Sequence, residues 1–332
     1  MQFHGRMAQF IEVRNQKITV KEGYDQFQNF NEAKNLSDNT IHHYGMSFRL
    51  FAEFYDVSKP CCSIVEQTIF EFISWMKNTR NINDITLNSY LRPIRAMLYY
   101  FMKQGFTAPF HISEPKATAK VKEPYTEYEM TILLKKPDLK KCTFPEYRTW
   151  VIINYLFATG NRVGTVSNIK IADVKFESRI IHLKKTKNRK EQIIPLSSNL
   201  DKILREYLRY RKGGADDYLF CNTAGERLTE SALRVSIRHY NLKRGVMKTS
   251  VHLFRHTFAK DWIVTGGDPF SLQEALGHST LDMTRKYVKM FNEDLKHVYE
   301  KHNPLDRFYE KSGNSRAKSK FKKGEFQKSS NF

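Results

Sequence analysis

His252 and Arg255 stand three residues apart, Gly277-His278-Ser279 follows a glycine-bearing break, and Tyr287 comes nine residues past His278. On a helix, a three-residue spacing puts the imidazole and the guanidinium on one face. A cation, two imidazoles and a phenol gathered together could hold a phosphodiester and attack its phosphorus. A two-metal nuclease is disfavoured, because no carboxylate cluster accompanies these residues. Each piece alone has a plainer reading as a polar helix face, a turn residue or a packed ring. Their order and spacing carry the case.

The elements that must position them can be read from periodicity. Gly266, Gly267 and Pro269 end the His252 helix, and Leu272, Ala275 and Leu276 mark a short helix before Gly277. Upstream, an apolar helix from about Tyr147 to Ala158 stops at Thr159-Gly160, and Asn161-Arg162-Val163-Gly164-Thr165 follows. Short apolar runs at 174–176, 180–183 and 192–196 read as a small antiparallel sheet. Between the last two lies the basic loop 184–191, Lys-Lys-Thr-Lys-Asn-Arg-Lys-Glu. Thr126 with Glu129 forms a capping box at the entry to this half of the chain, and helices are expected over Leu200–Leu208 and Ser231–Asn241.

The first half reads differently. Residues 1–35 are taken as an N-terminal extension with a short helix near Tyr24–Phe30. From the cap candidates at Ser37, three helical apolar stripes follow: Ile41–Tyr55, Ile69–Met76 and Leu87–Phe101. They define a helical bundle over residues 36–106, closed by Gly105. Residues 107–124, with three prolines, read as an extended basic linker, and 125–302 as a second domain. Past Tyr287 a last helix is expected to about Lys301; residues 303–332 form a basic tail without a core pattern. The expected fold is mainly α with a small antiparallel β-sheet, a helical bundle followed by an α+β domain.

At 332 residues and a net charge of +20, the chain can build two cores and should favour a polyanionic partner. Four cysteines, Cys61, Cys62, Cys142 and Cys221, have neither disulfide-framework nor zinc spacing. No stretch approaches the ~20 apolar residues of a membrane span. The expectation is a cytoplasmic, nucleoid-associated protein with no membrane partner. Candidate DNA contacts are Thr40, His43, Arg92 and Arg95 in the bundle and Lys184, Lys185, Arg189 and Lys190 in the basic loop.

With Arg162, a basic hairpin loop, His252-x-x-Arg255, Gly277-His278 and Tyr287 in this order, the chain resembles tyrosine recombinases of the phage-integrase and Xer class. The resemblance spans residues from about 36 to 300 and is strongest at Thr159–Arg162, His252–Ala259 and Leu276–Ser279. It implies a core-DNA-binding bundle and a catalytic domain that clasp one half-site. Tyr287 would be the nucleophile, Arg162 and Arg255 would clamp the phosphate oxygens, and His252 and His278 would donate to the phosphate or move the phenolic proton. Lys187 would protonate the leaving 5′-oxygen, by its eight-residue distance from Pro195, with Lys185 the competing choice. The resemblance further implies double-stranded DNA recombination sites as partner, a homo-tetramer on DNA, a Holliday-junction intermediate, and neither metal nor cofactor. No G-x-x-x-x-G-K-[ST] loop is present, in keeping with ATP-independent rejoining. Lys, Asn, Ile, Phe and Tyr abundance hints at an AT-rich genome and a mobile element.

One position departs from the pattern: three residues after Arg162 the family usually carries an acid, and this chain has Thr165. Two alternatives stay open on sequence alone. One is a type IB topoisomerase-like relaxing enzyme; the other is a noncatalytic DNA-binding protein on the same fold.

Overall fold

The computed structural model describes residues 18–117, 123–184, 191–278, 280–290 and 304–305. It forms two compact units, Met1–Val121 and Lys122–Phe332. Among the described residues no helix is long and apolar enough to cross a membrane.

The first unit packs helices α1 (Val20–Ala33), α2 (Asp38–Phe54), α3 (Glu66–Arg80) and α4 (Asp84–Gln104). Ser37 caps α2 by accepting from the Thr40 amide, and Asn83 does the same for α4 through Thr86. Phe51, Phe72, Leu91, Leu98 and Phe101 are each at most 1% exposed and form its centre, with Phe51 and Phe72 meeting edge to face at 5.2 Å. Gly105, with φ of 74°, ends α4 as expected.

Two segments outside the expected bundle turn out to belong to its core. A Thr19–Glu22 capping box starts α1, which buries Val20, Tyr24 and Phe27 against the other helices. The Val20 and Lys21 amides bond to Lys59 O and Val57 O, so the helix is fixed at both its face and its start. The sequence reading treats 1–35 as an extension because α1 has a short apolar stripe interrupted by polar residues. The linker reading also changes at its start. Phe106 and Ile112 are buried, Thr107 Oγ1 donates to Ile64 O at 3.1 Å, and Asn88 Nδ2 donates to Pro115 O at 2.8 Å. Prolines do disfavour helix there, but an extended strand with periodic apolar side chains can still coat a bundle.

Pro93 lies inside α4. Having no N–H, it cannot bond to the carbonyl four residues earlier, Ser89 O. That carbonyl instead receives His43 Nε2 of α2, 3.1 Å away.

The second unit is built around α6 (Phe144–Thr159), which buries Tyr147, Trp150, Val151, Ile152, Ile153, Tyr155 and Leu156. Burial on every face marks a central helix. Helix α5 (Glu127–Leu134), capped by the Thr126–Glu129 box, packs against it together with α8 (Ser198–Arg211), α9 (Glu230–Lys243) and α10 (His252–Val264). A four-residue turn, α7 (Val163–Val166), follows α6. The sheet β1 (Val174–Lys175), β2 (Ile180–Leu183), β3 (Gln192–Pro195) is antiparallel, in that order, with Ile181 opposite Ile194 and Leu183 opposite Gln192. Helices α11 (Pro269–Leu276) and α12 (Leu281–Met290) complete the unit, sharing with α10 a small core of Ala259, Leu272, Leu276 and Tyr287. The fold is thus mainly helical with one small antiparallel sheet. The helix expected beyond Phe291 and the basic tail lie outside the described residues, apart from 304–305.

Candidate active site

Three chain segments converge at the ends of α6, α10 and α11. Helix α6 stops at Gly160, whose φ is +61°. A side chain there would meet Leu276 Cδ2 at 2.6 Å and Phe258 Cδ1 at 2.7 Å, so conformation and space both demand glycine. Asn161, buried, fixes the turn by donating from Nδ2 to Tyr155 OH at 2.9 Å. Arg162 then sits at the N-cap of α7, partly open to solvent.

Arg255 projects from α10 and is only 2% exposed. Its Nη1 donates to Gly160 O at 2.8 Å and its Nη2 to Leu276 O at 2.9 Å. The guanidinium therefore joins the Arg162 turn to the His278 turn, and its charge is near enough to the Tyr287 phenol to pull that pKa down. Five N–H donors leave capacity for an anion after these contacts. Gly277, in the left-handed region at φ 60°, ends α11 and turns the chain so that the His278 amide bonds back to Gln273 O at 3.0 Å.

The rings lie close together. His278 and Tyr287 are parallel within 2° at 6.2 Å between centroids; His256 is 5.5 Å from Tyr287 and meets His252 edge-on at 4.9 Å. His278 Nδ1 is 2.9 Å from Thr284 Oγ1, one turn before Tyr287 on α12. Tyr287 is 6% exposed and His278 9%. The buried floor is thus Arg255, His278 and Tyr287, while Arg162 and His252 line the side open to solvent.

Desolvation governs the protonation states. Burial pushes the Tyr287 phenol above its ordinary value, with Arg255 and Arg162 pulling the other way. The His278 imidazole is pulled down to about 4, first by burial and then by Arg255, Arg162 and His252. His252 is also lowered to about 4, where its ring faces the site, by desolvation and then by His256, Arg255, Arg162 and Arg234. Both imidazoles are neutral at neutral pH, and Arg255, lowered to about 10 by burial, stays charged.

Arg162, His252, Arg255, His278 and Tyr287 are therefore brought together, as the sequence spacing predicts. Lys187, Lys185, Arg189 and Lys190 lie outside the described residues; Lys184 is exposed just past β2. Thr40 and His43 sit on α2 and Arg92 and Arg95 on α4, in the other unit. Arg92 Nη2 and Arg95 Nη1 reach the two carboxylate oxygens of Glu114 at 3.0 and 2.6 Å. Sequence reading passes over His256 and Thr284. The signal for Thr284 was present, since a hydroxyl three residues before Tyr287 shares its helix face. At the Thr165 departure, the carboxylate that reaches the turn comes from α9: Glu230 Oε1 would stand 2.7 Å from a side chain at Gly164, and Glu230 Oε2 pairs with Arg234 at 3.0 Å.

Known proteins resemble this chain over most of its length. Residues 126–293 match the model of the phage integrase family. Tyrosine recombinase XerD of Oceanobacillus iheyensis is 25% identical over 284 residues, covering 82% of this chain and 94% of its own length. Tyrosine recombinase XerC of Leptospira interrogans is 27% identical over 278 residues, covering 82% and 89%. Among solved structures, the XerH recombinase bound to palindromic difH substrate aligns with a TM-score of 0.66 at 22% identity, covering 84% of each chain. A lambda integrase dimer bound to a core site aligns at 0.67 and 15% identity, covering 81% of this chain and 95% of that one. At such identities the two structures speak for the fold. The chain belongs to the phage integrase family, as a tyrosine recombinase.

Proposed function

We propose that this enzyme, a site-specific DNA recombinase, cuts and rejoins DNA by transient esterification of Tyr287. The Tyr287 oxygen attacks the scissile phosphorus, forming a 3′-phosphotyrosyl bond as the bond to the 5′-oxygen breaks. The phenolic proton passes to a neutral imidazole. In the tautomer that donates Nδ1–H to Thr284 Oγ1, 2.9 Å away, His278 presents an unprotonated Nε2 for that role. The leaving 5′-oxygen takes its proton from Lys187, with Lys185 as the competing donor. Attack by a 5′-hydroxyl of the partner duplex reverses every step, so the bond energy is kept and no ATP is needed.

Negative charge grows on the non-bridging oxygens in the transition state, which is where preorganised cations act. Arg162 and Arg255 supply a planar fork each, and His252 lies on the same open side. The single observation that carries this reading is the buried Tyr287 ring lying parallel to His278 at 6.2 Å, with Arg255 and Arg162 close enough to lower its pKa. Exchange between two duplexes through a Holliday junction, by four protomers, completes the proposal. The proposed substrate is DNA ends of a mobile element; the Tn1549 transposon integrase, solved with transposon right-end DNA, shares the fold at a TM-score of 0.65 and 21% identity.

The test is a suicide half-site whose short 5′ fragment diffuses away after cleavage. Wild-type protein should give a denaturant-resistant adduct, in chelator as well as in buffer, and Tyr287→Phe should bind the DNA and give none. An adduct persisting in that variant, or one abolished by chelator, would contradict the mechanism.

A further inference from the structure

The last four carbonyls of a helix have no partner within it and must find one elsewhere. At the end of α11 these are Gln273 O to Leu276 O, immediately before Gly277-His278. The turn itself supplies two donors: His278 N to Gln273 O at 3.0 Å and Gly277 N to Glu274 O at 2.9 Å. Arg255 takes Leu276 O at 2.9 Å. Ala275 O, and the second lone pair of Glu274 O, are taken by one side chain from the sheet. Gln192 Nε2 lies 2.7 Å from Ala275 O and 3.0 Å from Glu274 O. An amide nitrogen has two N–H groups, and both are used here. The other end of the same amide lies over Gly277, where a side chain would meet Gln192 Oε1 at 3.0 Å.

Gln192 is the first residue of β3 and stands opposite Leu183, the last of β2. The basic segment 184–191 leaves and re-enters the sheet at that pair. The structure assigns Gln192 as a positioning residue that fastens the base of the basic hairpin to the His278 turn. A lysine delivered from the hairpin and the Arg255–His278–Tyr287 group then address one phosphate in a fixed relation. Arg255 and Gln192 thus hold adjacent carbonyls of a single helix end. A misplacement of about 1 Å in such an arrangement costs about 100-fold in rate. This inference rests on the recombinase reading above and on protonation of the leaving group by a hairpin lysine.

The experiment compares single-turnover cleavage by full-length wild type, Gln192→Ala, Gln192→Glu and Gln192→Arg on two suicide substrates. One carries the ordinary 5′-oxygen and the other a 5′-bridging sulfur, a leaving group that needs no proton. DNA affinity and melting temperature are measured alongside. Gln192→Glu keeps the shape but cannot donate, so it carries the comparison if the alanine variant does not fold. On the oxygen substrate both variants should cleave about 10- to 100-fold more slowly than wild type, at nearly unchanged DNA affinity. On the sulfur substrate most of that deficit should vanish, and Gln192→Arg, with two donors, should recover much of the oxygen-substrate rate. Wild-type rates in Gln192→Glu on the oxygen substrate, or an equal deficit on both substrates, would overturn the assignment. Absence of any adduct with wild-type protein would instead overturn the recombinase chemistry on which it rests.

Discussion

At the level of single residues, Arg255 ties two turns of the candidate site together. A guanidinium that is 2% exposed survives because two carbonyls from different turns accept from it, and its charge lowers the pKa of the nearby Tyr287 phenol. His278 is the second such residue, and its state sets a pH dependence. Its folded pKa of about 4 lies below the unfolded value near 6.5, so between those limits the unfolded chain binds the extra proton. Stability is therefore full above the unfolded value and is lost on acidification toward 4. The loss should be on the order of 2–3 kcal/mol. Denaturant midpoints at pH 7 and pH 4.5 should show this fall in wild type and a smaller one in His278→Asn. Thr284→Val removes the partner of Nδ1 and should slow adduct formation roughly tenfold without weakening DNA binding. Gly160→Ala meets both a positive φ and two side chains, and should cost about 2–4 kcal/mol by thermal or chemical unfolding. A variant as stable as wild type would show that the turn can relax.

Elements explain what the sequence could and could not disclose. Helix starts at Ser37 and Thr126, stops at Gly105 and Gly160, and all three strands were legible, because caps and alternation are local signals. That Arg162, His252, Arg255, His278 and Tyr287 gather in one place was legible too, since their order and spacing resemble the family's. Contacts between distant segments were not. Nothing local says that α1 belongs to the bundle, that residues 106–117 coat it, or that Gln192 closes the end of α11. His43 illustrates the point. As a sequence feature it reads as a DNA contact, yet Pro93 leaves Ser89 O without a helix donor and His43 fills that place. Arg92 and Arg95, offered as DNA contacts by the same reasoning, both face Glu114. Any DNA bound by these arginines must compete with that carboxylate, whose pKa the Arg92 hydrogen bond first lowers. Glu114→Gln should therefore tighten DNA binding about 2- to 5-fold at low salt, where exposed charges are least screened. The gain should disappear when Arg92→Ala is added. Unchanged affinity in Glu114→Gln would place these arginines away from DNA.

For the whole molecule, a net charge of +20 on 332 residues supplies the long-range attraction, and the buried site supplies the chemistry. Affinity for any duplex should fall steeply as salt rises, because phosphate contacts release counterions. Cleavage within a bound complex should depend far less on salt, since Arg255, His278 and Tyr287 are shielded from solvent. The most direct measurement is to trap the adduct on a suicide half-site, digest it with trypsin and locate the nucleotide by mass spectrometry. The account predicts a 3′-phosphate on the peptide Tyr287-Val288-Lys289, joined through the phenolic oxygen. A nucleotide found on any other peptide, or attached through its 5′ end, would contradict it.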